Sequence, residues 1–181
     1  MTPTATFDQA NLLQRSIRRF AATGPGAWLF GNVLQRLDRP VYRLTRGRHT
    51  LANLLSGLPV VVLTTTGARS GLERSAPVVG LPTADGLSVI ASNFGRKSHP
   101  GWYHNLRADP HARITVRGRE SAVRATLATG DVRARIWREG LTIYPGWSSY
   151  ERRAAGRTIA VFVLAPSAED SAPDEPRPES G

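Results

Sequence analysis

The amino-acid sequence predicts a mainly β protein with α-helices (α+β): a small antiparallel barrel with N-terminal helices and with helices between strands. Apolar residues recur at helical spacing near the N-terminus, whereas from residue 58 onward five or six short runs have the composition of strands. Closing such strands into a barrel removes exposed sheet edges. The sequence has neither strand–helix alternation nor a GxGxxG segment, which disfavours a Rossmann fold.

The N-terminal part of the chain predicts two helices. Residues 11–22 place apolar side chains on one helical stripe and arginines elsewhere. Residues 23–26, Thr-Gly-Pro-Gly, are expected to stop this helix. A second helix is predicted over about residues 27–45, with Pro40 kinking or ending it.

The rest of the chain predicts strands and two further helices. The predicted strands are residues 58–66, 74–82, 87–93, 112–117, 122–128 and 158–164. Asp85-Gly86 and Arg117-Gly118 are expected to form tight hairpin turns. The predicted helices are residues 100–108, with Pro100 at the first helical position, and residues 131–144, with Asp131 as the N-cap.

These elements predict one folded domain with loose ends. Residues 1–10 are expected to be flexible, and residues 11–50 to form an N-terminal helical segment. The barrel is assigned to residues 51–165. Residues 166–181 carry five acidic residues and one arginine among serines and prolines, which predicts a disordered acidic tail.

Composition excludes several kinds of site. The chain has no cysteine, so thiolate metal sites and a cysteine nucleophile are excluded. His99 and His104 have no acidic residue between them, and no metal site is predicted. No apolar run is long enough to span a membrane, and the N-terminus does not resemble a signal peptide. The net charge of +10 predicts affinity for anions such as phosphorylated cofactors, anionic lipid or nucleic acid.

Two segments carry the pattern of a ligand site. Residues 63–79, LTTTGARSGLERSAPVV, contain glycines for a bend and close approach, with Arg69 and Arg74 suited to phosphate or carboxylate. Residues 92–106, SNFGRKSHPGWYHNL, bring an aromatic surface and an amide at Trp102 and Asn105. Together they indicate an anion grip beside a planar ring, as in a cofactor enzyme. From the residues alone, an ordinary turn with solvated arginines and simple core packing of the aromatics stay open.

Residues 63–79, 92–109 and 142–150 resemble the deazaflavin-dependent nitroreductase family of the flavin/deazaflavin oxidoreductase superfamily. The paired motifs TTTG-x-R-[ST]-G-x-x-R and [NH]P-x-WY-x-NL are fairly specific to it, and the resemblance covers about residues 50–165. It implies a split β-barrel and the cofactor coenzyme F420, whose phosphate and oligoglutamate tail are anionic. It also implies hydride transfer from the reduced deazaflavin to an activated C=C bond, a quinone or a nitro group.

The resemblance assigns cofactor-binding positions on four parts of the chain. They are Ala68, Arg69, Ser70 and Arg74 for the phosphate and tail; Ser75, Ala76, Pro77, Val78 and Val79 along the cofactor; Ile90, Ala91, Ser92 and Asn93 at the ring; and Gly101, Trp102, Tyr103, His104 and Asn105 at the ring and ribityl chain. Tyr144, Trp147 and Tyr150 would form an aromatic wall on the substrate side. Ser92, Tyr144 and Tyr150 are the candidate catalytic proton donors.

Two positions depart from the family pattern. A basic residue is common where this chain has Ala68, so the tail would depend on Arg69, Arg96 and Lys97. Trp147 stands where nitroimidazole-reducing relatives have a tyrosine. Because an indole cannot donate a proton as a phenol can, enone or quinone reduction is favoured over nitroimidazole reduction.

Other functions stay open at this point. A split barrel that binds FMN or heme is the nearest alternative enzyme. A basic module that binds nucleic acid is not expected, because the arginines are spread along the chain and no nucleic-acid motif is present. The N-terminal helix is expected to cap its own domain or a dimer partner, and contact with anionic lipid is the alternative. A monomer or homodimer in the cytoplasm, with a potential peripheral contact at the inner face of the membrane, is expected.

Overall fold

The computed structural model describes residues 11–29, 57–84 and 86–167. The helices are α1 (Leu12–Ala22), α2 (Gly24–Leu29), α3 (Gly101–Ala108), α4 (Gly130–Ile143) and α5 (Gly146–Arg153). The strands are β1 (Val60–Thr66), β2 (Glu73–Thr83), β3 (Gly86–Ile90), β4 (His111–Val116), β5 (Arg119–Leu127) and β6 (Val161–Pro166). A short 3-10 turn, Asn93–Gly95, follows β3.

The six strands close into one antiparallel barrel, which confirms the predicted fold class. The strand order around the barrel is β1-β2-β3-β6-β5-β4, and β4 pairs with β1 to close it. Apolar side chains such as Leu63, Val89 and Phe162 fill the interior and are almost inaccessible to solvent. A second apolar cluster lies outside the barrel, where Ile136, Trp147 and other side chains of α4 and α5 pack against it.

The second predicted hairpin turn is confirmed in detail. Val116 pairs with Arg119, so the loop between β4 and β5 is Arg117-Gly118 alone. Both loop residues have positive φ, 51° and 82°, as the favoured two-residue hairpin turns require. The β2–β3 hairpin is present as well, with Thr83 paired to Gly86. Asp85 itself lies outside the described residues.

The first helix ends where predicted, but the residues expected to stop it begin the next one. The hydroxyl of Thr23 accepts a hydrogen bond from the Gly26 N–H (3.2 Å) and so starts α2 at Gly24. Pro25 fits the first turn because its missing N–H would have no helical partner there. The predicted start at Ala27 is therefore wrong. The rest of that predicted helix, with Pro40, lies outside the described residues.

Several strand ends also differ from prediction. β3 ends at Ile90 and not at Asn93, because Asn93 and Phe94 have positive φ and leave the sheet. β6 continues through Pro166, pairing with β5, so residue 166 belongs to the barrel and not to the tail. Residues 168–181 of the predicted tail and the predicted flexible residues 1–10 lie outside the described residues.

The helices between strands correct three further details. Pro100, predicted as the first helical residue, is instead the N-cap of α3, and the helix begins one position later, at Gly101. Thr129 is the N-cap of α4, and Asp131 lies in the first turn, where a carboxylate is favourable near the positive end of the helix. α5 was not predicted as a helix. Within the described residues, no helix combines the length and the apolar character needed to cross a bilayer.

Contacts with the last helix place α1 beside the barrel. Tyr150 donates a hydrogen bond to the carbonyl oxygen of Ala21 (2.8 Å), and Arg153 donates one to that of Ala22 (2.7 Å). The guanidinium of Arg18, almost fully buried, donates to the carbonyl oxygens of Ile143 and Gly57. The bonds to Ala21 and Ala22 satisfy carbonyls at the C-terminal end of α1 that have no partner within the helix. They fix α1 against α5.

Candidate cofactor and substrate cavity

One cavity of about 960 Å³ lies against β2, the β1–β2 turn, the segment after β3, the start of α3, helices α1 and α5, and Tyr144 between α4 and α5. Ligand pockets usually have volumes of this order. All the predicted site residues except Ala91 and Tyr103 line it. The two segments singled out in the sequence therefore meet at one surface.

Ala91 and Tyr103 face elsewhere for simple packing reasons. Ala91 is fully buried, and its N–H donates to the carbonyl oxygen of Ala160 (2.8 Å), just before the neighbouring strand β6. The Tyr103 ring stacks on His99 with centroids 3.8 Å apart and lies edge-on to Phe162 at 5.8 Å. The structure thus places both residues behind the cavity wall.

The β1–β2 turn presents a basic end of the cavity. The N–H of Gly67 donates to the carbonyl oxygen of Leu72 (2.9 Å), and Gly71 donates back to that of Gly67 (2.8 Å). Gly71 has φ of 65°, which suits glycine and lets the chain reverse tightly. Arg69 and Arg74 are exposed and line the cavity, so their guanidinium groups are available to an anion.

Asn105 ties this turn to α3. Its side-chain oxygen accepts a hydrogen bond from the Ala68 N–H (3.0 Å), and its amide nitrogen donates to the hydroxyl of Thr65 (2.9 Å). Both ends of the amide are therefore engaged within the protein. Asn105 therefore holds the turn against α3, and its predicted contact with a ring stays a prediction.

The N-terminus of α3 is a second part of the cavity that can bind an anion. Pro100 gives the helix no side-chain cap, and a side chain added at Gly101 would meet open space. The first N–H groups of a helix point outward and favour negative groups. Trp102, half-buried, lies edge-on to Phe162 at 6.1 Å and presents an apolar surface beside them.

Tyr144, Trp147 and Tyr150 form an aromatic wall of the cavity. The hydroxyl oxygens of Tyr144 and Tyr150 are 2.9 Å apart, and both side chains are buried. The Ala21 carbonyl can only accept, so Tyr150 donates to it and Tyr144 donates to Tyr150. Burial raises the pKa of Tyr144, as does the nearby Tyr150, and burial also raises the pKa of Tyr150. Both protons are committed to this chain of hydrogen bonds rather than to the cavity.

Trp147 fits this wall because of two glycines. A side chain on Gly140 would lie 2.8 Å from the Trp147 ring, and one on Gly146 would lie against the Tyr144 ring. The Trp147 and Tyr144 rings meet edge to face with centroids 5.6 Å apart. Glycine at both positions is therefore a packing requirement of the aromatic wall.

Ser92 differs from the two phenols. It lines the cavity and is only partly buried. Its backbone is held by a hydrogen bond from its N–H to the Ile90 carbonyl (2.9 Å). Among the described residues its hydroxyl forms no hydrogen bond within the protein, so of the three predicted proton donors it is the one available to a ligand.

Sequence reasoning missed part of the lining. Arg18 and Ala21 from α1, and Leu58 and Val60 before and within β1, also line the cavity. An arginine in an amphipathic helix usually faces solvent, so no local signal marked Arg18 as buried. Phe94, His99 and Pro100 also line the cavity; they lie inside the second motif but had been given no role.

Known proteins with this pattern share one activity in their names. Residues 34–166 match the family described as F420H(2)-dependent quinone reductase. An F420H(2)-dependent quinone reductase of Mycobacterium tuberculosis is 37% identical over 93 residues, 49% of this chain and 61% of that protein. Another M. tuberculosis protein of the same family name is 30% identical over 109 residues, 60% of this chain and 91% of that protein.

Solved structures agree with the fold. An F420-H2 dependent reductase superposes with a TM-score of 0.53 at 30% identity, over 59% of this chain and 93% of that one. A protein described as a domain-swapped dimer gives a TM-score of 0.55 at 28% identity, over 78% and 99%. The chain belongs to the F420H(2)-dependent quinone reductase family, and it is an oxidoreductase whose cofactor is coenzyme F420.

Proposed function

We propose that this chain binds F420 in the cavity and catalyses hydride transfer from its reduced form to a quinone. The observation that carries the proposal is that one cavity joins the basic β1–β2 turn to the aromatic wall of Tyr144, Trp147 and Tyr150. A cofactor with an anionic tail and a planar ring needs both kinds of surface. The name of the matching family states both the reductant, F420H2, and the acceptor, a quinone.

The residues present fit this cofactor. Arg69, Arg74 and Arg96 line the same cavity as the uncapped start of α3, so negative groups meet several donors at once. Val78, Val79 and Ile90 give apolar contact for a ring, and Trp102 adds a flat aromatic face. Bound F420H2 supplies the hydride, and the protein supplies binding, orientation and exclusion of water.

Three side chains of the cavity are candidate proton donors to the quinone oxygen that becomes negative during reduction. The phenols of Tyr144 and Tyr150 are held in their own hydrogen-bond chain. Ser92 lines the cavity, and its hydroxyl has no hydrogen bond among the described residues, so it is the better donor to that oxygen. The hydroquinone anion formed by hydride transfer can also take its proton from water, so no acid–base pair is required.

The test is the oxidation of F420H2 by the purified protein with a panel of acceptors: a benzoquinone, a naphthoquinone, a cyclic enone and a nitroimidazole. Quinone reduction is expected. Reduction of the nitroimidazole is expected to be slow or undetectable, because this chain has Trp147 where nitroimidazole-reducing relatives have a tyrosine. Turnover of the enone or nitroimidazole but not of the quinones would contradict the proposed substrate class.

Assembly and location are finer points of the same proposal. A monomer or homodimer is proposed, and the domain-swapped relative makes the dimer worth measuring by light scattering.

The exposed Leu12, Leu13 and Phe20 of α1, beside arginines, fit a peripheral contact with anionic lipid at the inner membrane face. Co-sedimentation with anionic liposomes that persists without α1 would remove the lipid role of this helix.

A further inference from the structure

The segment between β3 and α3 has an uncommon backbone. Asn93 and Phe94 have φ of 48° and 55°, followed by Gly95 at 76°. Left-handed backbone is uncommon for residues with side chains, especially bulky ones, and persists only where the surroundings enforce it. Ser92, Asn93 and Phe94 line the cavity, so whatever enforces this backbone also shapes the cavity wall.

The guanidinium of Arg157 grips this segment from behind. One terminal nitrogen donates to the carbonyl oxygens of Ser92 (2.9 Å) and Arg96 (3.0 Å), and the other donates to that of Ala91 (3.2 Å). Nε also donates to Arg96 (3.2 Å), and the ring Nδ1 of His99 lies 3.2 Å from the second terminal nitrogen. Arg157 precedes β6 and is not among the residues that line the cavity.

Helix α5 closes the other side of the segment. A side chain on Gly95 would lie 3.0 Å from the backbone of Tyr150 and 3.2 Å from the Cβ of Arg153. The Phe94 ring lies edge-on to the Tyr150 ring, with centroids 6.2 Å apart. The segment is therefore held between a planar cation and a packed helix.

We propose that Arg157 is a positioning residue for hydride transfer: it fixes Ser92, Asn93 and Phe94 at the ring end of the cavity without touching the ligand. This inference rests on the proposed function, because it assigns the ring end to these residues. A guanidinium has five donors in a rigid plane, whereas a lysine ammonium cannot reach the three carbonyl oxygens and the histidine ring together. Arg157→Lys therefore keeps the positive charge but cannot form all of these hydrogen bonds.

The first measurement does not need activity. In the wild type the N–H groups of Gly95 and Arg96 donate to the carbonyl oxygens of Ser92 and Asn93, both at 3.0 Å. Arg157→Lys is expected to speed hydrogen exchange of these two amides by about tenfold or more, with the amides of β2 and β5 unchanged. Arg138→Lys, at an exposed arginine on α4, is the matched control. Equal exchange in Arg157→Lys and the wild type would overturn the proposal.

The second measurement separates positioning from general stability. With a quinone at saturation, the single-turnover rate of Arg157→Lys is expected to fall about tenfold or more, since misplaced groups slow reactions strongly. The dissociation constant for F420 should change less than about threefold, because Arg69 and Arg74 hold the anionic end. Added guanidinium is expected to restore part of the rate in Arg157→Ala. An unchanged rate per bound cofactor would overturn the proposal.

The two failures are distinguishable. If the wild type itself does not reduce quinones, the proposed function fails, and hydrogen exchange still decides whether Arg157 holds the segment. If the wild type is active and Arg157→Lys matches it, only the role of Arg157 fails. Should Arg157→Lys not fold, exchange in the wild type decides: Gly95 and Arg96 amides as fast as the exposed hairpin amides of Arg117 and Gly118 would overturn the proposal.

Discussion

Single residues give the two ends of the cavity opposite properties. Arg69 and Arg74 are exposed cations at the β1–β2 turn, whereas Tyr144 and Tyr150 are buried phenols whose protons stay within the protein. The first pair suits an anion that arrives from solvent. The second pair stabilises the aromatic wall of the cavity.

Arg74→Ala should weaken F420 binding by about 1–3 kcal/mol, roughly 5- to 150-fold in the dissociation constant, because a hydrogen bond between charged groups is lost. Titration with F420 by fluorescence measures it. Arg119→Ala, which removes the same charge at an exposed hairpin residue away from the cavity, is the control and should change little. Equal constants for Arg74→Ala and the wild type would show that Arg74 does not contact the cofactor.

Tyr150→Phe should cost about 1–3 kcal/mol in the free energy of unfolding, because the buried Ala21 carbonyl loses its donor. Tyr144→Phe should cost less, since the Tyr150 bond to Ala21 remains. Urea unfolding compares the two variants. Both should keep near-normal kcat; a fall of about 100-fold with unchanged stability would instead identify a phenol as the proton donor.

His99 should make the stability depend on pH. Burial, and then Arg157 and His104, lower the pKa of His99 below its ordinary value of 6.5. The unfolded chain then binds more protons than the folded one as the pH falls below 6.5, so this contribution to stability is complete above 6.5 and is lost toward lower pH. Urea unfolding at several pH values should show the loss, and His99→Gln should flatten it. A slope unchanged in His99→Gln would assign the effect to other groups.

At the scale of elements, the barrel was the easiest part to predict. Strand composition and the Arg117-Gly118 turn are local signals, and they marked all six strands within a few residues. The errors are where tertiary contacts decide. Asn93 and Phe94 leave β3 with positive φ, next to carbonyls that accept hydrogen bonds from the distant Arg157, and no short-range pattern in the sequence encodes that contact.

Helices were harder because they are short and their burial is long-range. α5 has eight residues, and its Tyr150 and Arg153 bond to α1, more than a hundred residues away in sequence. Most cavity residues could be named because two motifs and a family resemblance marked them. Arg18 and Ala21 could not, since they precede the range that matches the family.

Removal of α1 should open the aromatic wall. Deleting residues 1–22 takes away the acceptors of Tyr150 and Arg153 and exposes buried aromatic surface, so the variant should be less stable and bind a quinone more weakly. The thermal midpoint and KM for the quinone measure this. Leu12→Ser with Leu13→Ser, at the exposed face of the intact helix, is the control. Unchanged midpoint and KM in the deletion would show that α1 is not part of the wall.

At the scale of the whole molecule, the closed barrel gives the cavity a stable support, and the net positive charge attracts anions. The barrel leaves no open sheet edge, and its rigid strands carry the residues that face the cavity. The net charge of +10 raises the local concentration of an anionic cofactor around the protein. Charge alone would also attract nucleic acid, which the family match disfavours.

The most direct test of an F420 cavity is a parallel titration of the purified protein with F420 and with FMN, followed by tryptophan fluorescence. Trp102 and Trp147 line the cavity, so a bound ring should quench their emission. F420 is expected to bind more tightly than FMN, and Arg74→Ala should weaken F420 more than FMN. Tighter binding of FMN, or no quenching by F420, would contradict the assignment of this cavity to the deazaflavin.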